Sequence, residues 1–153
     1  MFSLRAATRD DRNAIRELVL TGRINPSGLD WQRFVVAVYE SGEIIGCGQI
    51  KPHSDGCREL ASIAVAPTWR GKGVARAIIE HLLAQSDEQM PHSHLYLMCR
   101  SGLRPFYEKF GFRVIQEAEM PPYFKRVSRL ASLIDIVRKE GEKLLVMKRA
   151  EDS

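Results

Sequence analysis

The stretch that most constrains this 153-residue chain is Ile63-Ala-Val-Ala-Pro-Thr-Trp-Arg70-Gly71-Lys72-Gly73-Val74-Ala75-Arg76-Ala-Ile-Ile. A strand-forming run ends at Pro67, two glycines follow, and Val74, Ala75, Ile78, Ile79 and Leu82 then recur at helical spacing. A strand therefore feeds a glycine-rich turn that opens an amphipathic helix. Glycines let a backbone approach a ligand closely, and the first N–H groups of a helix have no partner within it. Such a turn suits an anion, phosphate above all, and Arg70 and Lys72 add positive charge beside it. An ordinary strand-to-helix turn, with glycines for geometry alone, would read the same at this level.

Two common phosphate modules do not fit. A P-loop needs Ser or Thr after Gly-Lys, and Gly73 follows Gly71-Lys72. The dinucleotide fingerprint needs a third glycine where Arg76 stands.

The rest of the chain frames this turn. Residues 2–7 read as a strand, and Thr8-Arg-Asp-Asp11 as a variant capping box. It opens a helix with Ile15, Leu18 and Val19 as its apolar stripe and Gly22 as its stop. Residues 23–33, with Asn25-Pro26-Ser27-Gly28, form a loop and a short helical turn. Phe34–Tyr39 and Ile44–Ile50 flank the hairpin dipeptide Ser41-Gly42; Pro52–Cys57 is a further turn and Glu59–Val65 a strand. After the helix that runs from Gly73 to near Gln85 comes the strand Leu95–Arg100. Leu103, Phe106, Tyr107 and Phe110 then repeat at helical spacing, with Gly111 as the stop. Phe112–Glu117 and Leu144–Lys148 are the last strands. Between them Phe124, Val127, Ala131, Ile134 and Val137 predict an inserted helix over 123–138, with Lys125, Arg126 and Arg129 beside its stripe. The order β-α-β-β-β-α-β-α-β-α-β predicts an α/β mixture on a mixed sheet. No linker divides it, so one domain over 1–153 is expected, with a helical insertion at 118–140.

Composition excludes several classes. Apolar residues at 44% and charged residues at 27% match a globular domain and argue against disorder. The longest apolar runs, such as Phe34–Tyr39, fall far short of the ~20 residues that span a bilayer. The start, Met-Phe-Ser-Leu-Arg-Ala-Ala, lacks the apolar core of a secretory signal. Cys47, Cys57 and Cys99, odd in number and without a C-x-x-C pair, read as buried thiols of a reducing cytoplasm. The net charge of +4 is uneven, with 12 Lys/Arg against 6 Asp/Glu between Arg100 and Arg149. That suits an anionic ligand, a nucleic acid or a solvated basic face.

Two motifs go further. Arg70-x-x-Gly73-x-Ala75 resembles the acyl-CoA pyrophosphate loop, R/Q-x-x-G-x-G/A, of the GNAT superfamily of N-acetyltransferases. Phe106-Tyr107-Glu108-Lys109-Phe110-Gly111-Phe112 is similar to that family's second signature, in the right order and spacing. The resemblance covers residues 2–117 and the last strand; the insertion lies outside it.

The resemblance implies an α/β (α+β) fold: a mixed, mostly antiparallel central sheet with flanking helices, whose central strands Glu59–Val65 and Leu95–Arg100 splay apart. It implies acetyl-CoA as co-substrate; no metal is expected, on the residues given below. Arg70, Gly71, Lys72, Gly73, Val74, Ala75 and Arg76 would hold the pyrophosphate. The backbone of Ile63, Ala64 and Val65 would take the pantetheine arm and the thioester carbonyl, where a fixed N–H steadies an oxyanion. Tyr107 matches the tyrosine that protonates the departing thiolate. Glu59 stands four residues before Ile63, where one branch of the family has a glutamate that deprotonates the amine directly or through water. Read from the residues alone, Tyr107 is equally a member of an apolar stripe, and Glu59 a strand-end carboxylate paired with Arg58 or a lysine. The chain departs from the family at Arg100, where an asparagine is common.

The function so implied is an acetyl-CoA-dependent N-acetyltransferase acting on a primary amine by direct attack in a ternary complex. The alternative is a non-catalytic acyl-CoA-binding sensor or regulatory module. The expected partner is an amine acceptor, small molecule or peptide or protein, with neither nucleic acid nor membrane; a homodimer stays open. Residues 20–33 and 118–140 would form the acceptor walls, with Lys125, Arg126 and Arg129 disfavouring cationic acceptors. His92-x-His94 lacks the further ligands of a metal site, and Cys99 lacks a histidine to activate it.

Overall fold

The computed structural model describes residues 1–91, 93–133 and 141–150. It divides into two compact units, Met1–Lys51 with Leu60–His92, and Pro52–Glu59 with Ser93–Ser153.

The first unit contains β1 (Phe2–Ala6), α1 (Arg12–Thr21), β2 (Phe34–Tyr39), most of β3 (Ile44–Pro52), the greater part of β4 (Arg58–Val65) and α2 (Val74–Gln89). The capping box ahead of α1 forms. Asp11 Oδ2 accepts the Thr8 N–H and an Arg5 Nη1 hydrogen, each at 2.7 Å, and the Arg5 bond first of all lowers the Asp11 carboxyl below its ordinary range. The helix stops at Gly22 as expected, yet Arg23 is the residue with a left-handed φ, +54°. β1 and β2 pair antiparallel from Phe2↔Tyr39 to Ala6↔Val35, and β2 pairs with β3 through the Gly42 turn.

Each face of this sheet carries one helix. Ile15 and Val19 of α1 pack with Phe34, Val36, Cys47 and Ala64. Opposite, α2 lies on β3 where two glycines leave room. A Cβ on Gly46 would sit 2.7 Å from Val74 Cγ1, and one on Gly48 2.8 Å from Ile78 Cγ2. Those glycines are the price of close helix–sheet packing, since their side of the strand contributes no side chain.

The second unit adds β5 (Leu95–Arg100), α3 (Arg104–Glu108), β6 (Phe112–Val114), α4 (Pro122–Leu133) and β7 (Leu144–Arg149). The start of β4 pairs parallel with β5 at Arg58↔Leu95 and Glu59↔Tyr96. β5 and β6 each pair antiparallel with β7. The strands thus follow the order β1-β2-β3-β4-β5-β7-β6 in a mixed, mostly antiparallel sheet of seven, with helices flanking it. Tyr96, Ile115, Phe124, Val146 and Cys57 form the second core.

Some boundaries differ from the sequence reading. α3 has five residues, and a 3₁₀ turn over Ser101–Leu103 precedes it, which leaves Leu103 46% exposed and outside the stripe. β6 stops at Val114, and Glu117–Glu119 makes a 3₁₀ turn. α4 matches the inserted helix through Leu133; Ile134, Val137 and the rest of the expected helix lie outside the described residues. Its start has a physical reason. Pro122 has no N–H, and the Tyr123 N–H, left unpaired at the helix start, donates to Asp55 Oδ2 at 3.0 Å. No described helix is long and apolar enough to cross a membrane.

Candidate active site

The glycine-rich turn takes the conformation its composition demands. Gly71 and Gly73 have φ of +76° and +84°, a region that strains any side chain, and a Cβ on either would meet nothing within 4 Å. Space therefore lies in front of the backbone. The first helical hydrogen bond runs from Ala77 N–H to Gly73 O at 3.1 Å, so the amides of Val74, Ala75 and Arg76 precede it. Val74 itself is buried and anchors the helix start on Gly46. The three cations differ. Arg76 Nε bonds Glu80 Oε1 at 2.9 Å, Lys72 Nζ lies 5.2 Å from the centre of the Trp69 ring, and the Arg70 side chain has no partner among the described residues. Of the three, Arg70 is the one without a contact to another described side chain.

Ile63, Ala64 and Val65 close β4, with Ala64 buried and the others half-buried. Just ahead of them the strand contains a feature that sequence reasoning missed. Ser62 has φ of +59°, rare for a residue with a side chain. Buried Gln49 holds it: its Nε2 donates to Ser62 Oγ at 2.9 Å and to Gly28 O at 3.1 Å. Strain of this sort persists where surrounding structure over-determines it. Lys51, also buried, donates from Nζ to Ser27 O at 3.1 Å. The loop through Ser27 and Gly28 is thus tied to β3 by two side chains on one strand face.

Glu59 does not pair with Arg58, which instead bonds Ser93 Oγ. Its partner is His53, Nε2 to Oε1 at 2.9 Å, with side chains 11% and 10% exposed. The Tyr123 ring stacks on the imidazole, 3.6 Å between centroids at 17°, and Phe124 meets it edge-on at 6.0 Å. Asp55, in the same turn, is held at about 2, first by a hydrogen bond from the Cys57 side chain and further by backbone N–H groups including that of Tyr123. Neither His53 nor Tyr123 was among the expected site residues. The Asp55-Gly56 turn was the available signal. The His53 N–H bonds Cys57 O at 3.0 Å, and strand alternation puts Glu59 on the face of Cys57.

Tyr107 follows Phe106 on α3, and its ring meets those of Phe106 and Phe112 at 5.1 and 6.3 Å. Part of the residue is exposed, yet burial of the hydroxyl end pushes it up to about 12. The phenol is therefore a proton-bearing group at neutral pH. Burial also pushes Cys47 and Cys57 up to about 12 and Cys99 to about 11, so all three free cysteines are thiols and poor nucleophiles. No three metal-binding side chains gather among the described residues, of which His92 is not one. On α4, Arg129 is neutralised by Glu117, Nε to Oε1 at 2.6 Å, so its charge does not stand free.

The acetyltransferase (GNAT) domain family matches residues 30–114. An uncharacterized N-acetyltransferase of Chlorobaculum tepidum is 31% identical over 88 residues, 58% of this chain and 54% of that protein. N-acetylglutamate synthase from Neisseria gonorrhoeae, complexed with coenzyme A and N-acetyl-glutamate, superposes with a TM-score of 0.74 at 19% identity, over 100% of this chain and 36% of that one. Rv2747 from Mycobacterium tuberculosis, in complex with CoA and NLQ, does so with a TM-score of 0.69 at 24% identity, over 94% and 97% of the two chains. The chain therefore spans only part of the curated relative and of the synthase. At these identities the structural likeness concerns the fold.

Proposed function

Because the chain belongs to the GNAT acetyltransferase family, we propose that it transfers an acetyl group from acetyl-CoA to a primary amine by direct attack in a ternary complex. The observation that carries this reading is the turn at Gly71–Gly73, open in front of its backbone and leading into three helix amides that precede the first helical hydrogen bond. Those features, with Arg70 beside them unpaired among the described residues, fit a pyrophosphate. We read Gly71 through Arg76 as its cradle and the backbone of Ile63, Ala64 and Val65 as the rail for the pantetheine arm.

Acetyl-CoA supplies the acetyl group as an activated thioester. Glu59, directly or through a water, takes the proton that the acceptor nitrogen must lose as its bond to the acetyl carbon forms. The Val65 N–H donates to the carbonyl oxygen as negative charge grows there, the kind of contact whose loss costs about 2.7–4 kcal/mol in a hydrolase. Tyr107 donates to the sulfur as the carbon–sulfur bond breaks, so one proton leaves nitrogen and one reaches sulfur. Holding both reactants on one protein makes the step effectively unimolecular. The buried free thiols support a reducing compartment, and we assign the chain to the cytoplasm as one acetyltransferase domain with a helical insertion.

The second reading is an acyl-CoA-binding module without turnover. The desolvated phenol of Tyr107 and the buried carboxylate of Glu59 favour the enzyme, since binding alone needs neither. Release of CoA in the presence of an amine panel separates the two. Free amino acids head that panel, because the synthase it resembles is complexed with N-acetyl-glutamate; polyamines, aminoglycosides and lysine peptides complete it. Amine-dependent CoA release is expected. Acetyl-CoA binding with no release for any amine would support the binding module instead.

A further inference from the structure

We propose that His53 is a positioning residue for acetyl transfer, and that the inserted helix α4 takes part in the reaction by fixing His53 through Tyr123. The proposal rests on Glu59 as the proton acceptor of the function proposed above.

To accept a proton Glu59 must be a carboxylate, which can only accept hydrogen bonds, so in the proposed reaction the hydrogen of the 2.9 Å contact lies on His53 Nε2. His53 therefore donates, and that bond occupies Oε1 and leaves Oε2 for a proton from the acceptor. With both side chains near one-tenth exposed, bulk water competes little for the bond. Bonds of this charge-assisted kind are shorter and stronger than neutral ones.

The imidazole is itself fixed from α4. Tyr123 covers one face at 3.6 Å, and Phe124 stands edge-on at 6.0 Å. Asp55 ties the backbone of Tyr123 to the turn that carries His53, through the 3.0 Å bond from the Tyr123 N–H. Helix and turn are thus joined twice, once by backbone and once by stacked rings. The charged and titratable groups around this cluster include Asp55 and Cys57 on the turn, Glu59 on β4, Tyr96 on β5, and Tyr123 and Arg126 on α4. A carboxylate held this way keeps one orientation, and misplacement by 1 Å can cost on the order of 10²-fold in rate.

Two measurements test this. The first is kinetic. His53→Leu is expected to lower kcat by about 10²-fold with KM for acetyl-CoA unchanged, and His53→Gln, which keeps an N–H donor, to recover most of that loss. Tyr123→Leu is expected to lower kcat in the wild-type background and to have no further effect in a Glu59→Gln background, because both changes remove one function. Unchanged kcat in folded His53→Leu overturns the proposal, as does additivity of the Tyr123 and Glu59 changes. The second needs no activity. Nitrogen-15 NMR of the wild-type protein should show the His53 hydrogen on Nε2, with a downfield, slowly exchanging proton that is lost in Glu59→Gln and broadened in Tyr123→Leu. A hydrogen on Nδ1 alone, or a signal indifferent to both variants, overturns the proposal. Full activity in Glu59→Gln with the NMR signature intact in wild type would remove Glu59 as the base and overturn the role given to His53 in the reaction. Absence of CoA release with any amine would instead fail the proposed function, while the NMR signature would still decide whether Tyr123 and Glu59 hold His53.

Discussion

Tyr107 shows how a single side chain changes meaning between sequence and structure. In the sequence it could be packing or chemistry. In the structure it touches aromatic neighbours, and burial pushes its hydroxyl up to about 12. The sign matters: a phenol is neutral below its pKa, so this one keeps its proton throughout the neutral and mildly alkaline range. In the proposed reaction that proton is the one the departing sulfur takes. Tyr107→Phe should lower kcat by roughly 10²–10⁴-fold with an almost unchanged melting temperature. The loss should shrink with an aryl thioester, whose better leaving group needs less help. Wild-type turnover in this variant would return Tyr107 to a packing role. Glu59 was legible as a candidate in the same way, from its place before Ile63. Its partner was not, because the His53 contact depends on the fold of the intervening turn.

At the scale of elements, β3 decides more than its sequence suggests. Gly46 and Gly48 interrupt a strand pattern and would ordinarily weaken it. Their use appears only when α2 is laid across them, with Val74 and Ile78 filling the space where side chains would stand. Gly46→Ala should destabilise the protein by about 1–3 kcal/mol, as overpacking does. Val74 is β-branched and buried at the head of α2, so it has few ways to yield. The same change should weaken acetyl-CoA binding, because Val74 seats the helix start that follows Gly73. Equilibrium denaturation with and without acetyl-CoA reads both effects; unchanged stability would mean that the helix shifts off the strand at no cost. The opposite face of β3 has its own task. Gln49 and Lys51 reach the loop carbonyls of Gly28 and Ser27, which a hydropathy pattern cannot distinguish from an irregular strand face. The helix α4 was legible as periodicity through Ala131. Its docking was not, since Asp55 caps it from 68 positions away.

For the whole molecule, the proposed co-substrate makes a thermodynamic prediction. A ligand that binds the folded state alone stabilises it by about 2.7 kcal/mol at a hundredfold excess over Kd. Acetyl-CoA should therefore raise Tm in a concentration-dependent way, and Arg70→Gln should weaken that shift without altering Tm in its absence. Arg70 is the right residue for this test because its side chain holds no protein partner among the described residues, whereas replacing Gly73 would add backbone strain at φ +84°. No shift at any concentration would refute acetyl-CoA as a ligand.

The amino-acid sequence by itself determined the order of elements, the glycine-rich turn and the family, because each is written in local periods, in glycine spacing and in two motifs that need no distant partner. Only the tertiary structure decided what surrounds the chemistry. The His53–Glu59 pair under Tyr123, the left-handed Ser62 held by Gln49, and the neutralisation of Arg129 by Glu117 each join residues that pair only once the chain has folded. The physical reason is the range of the forces. Backbone propensities act within a few residues, whereas hydrogen bonds and ring stacking recognise distance in space and carry no mark in the spacing of the chain.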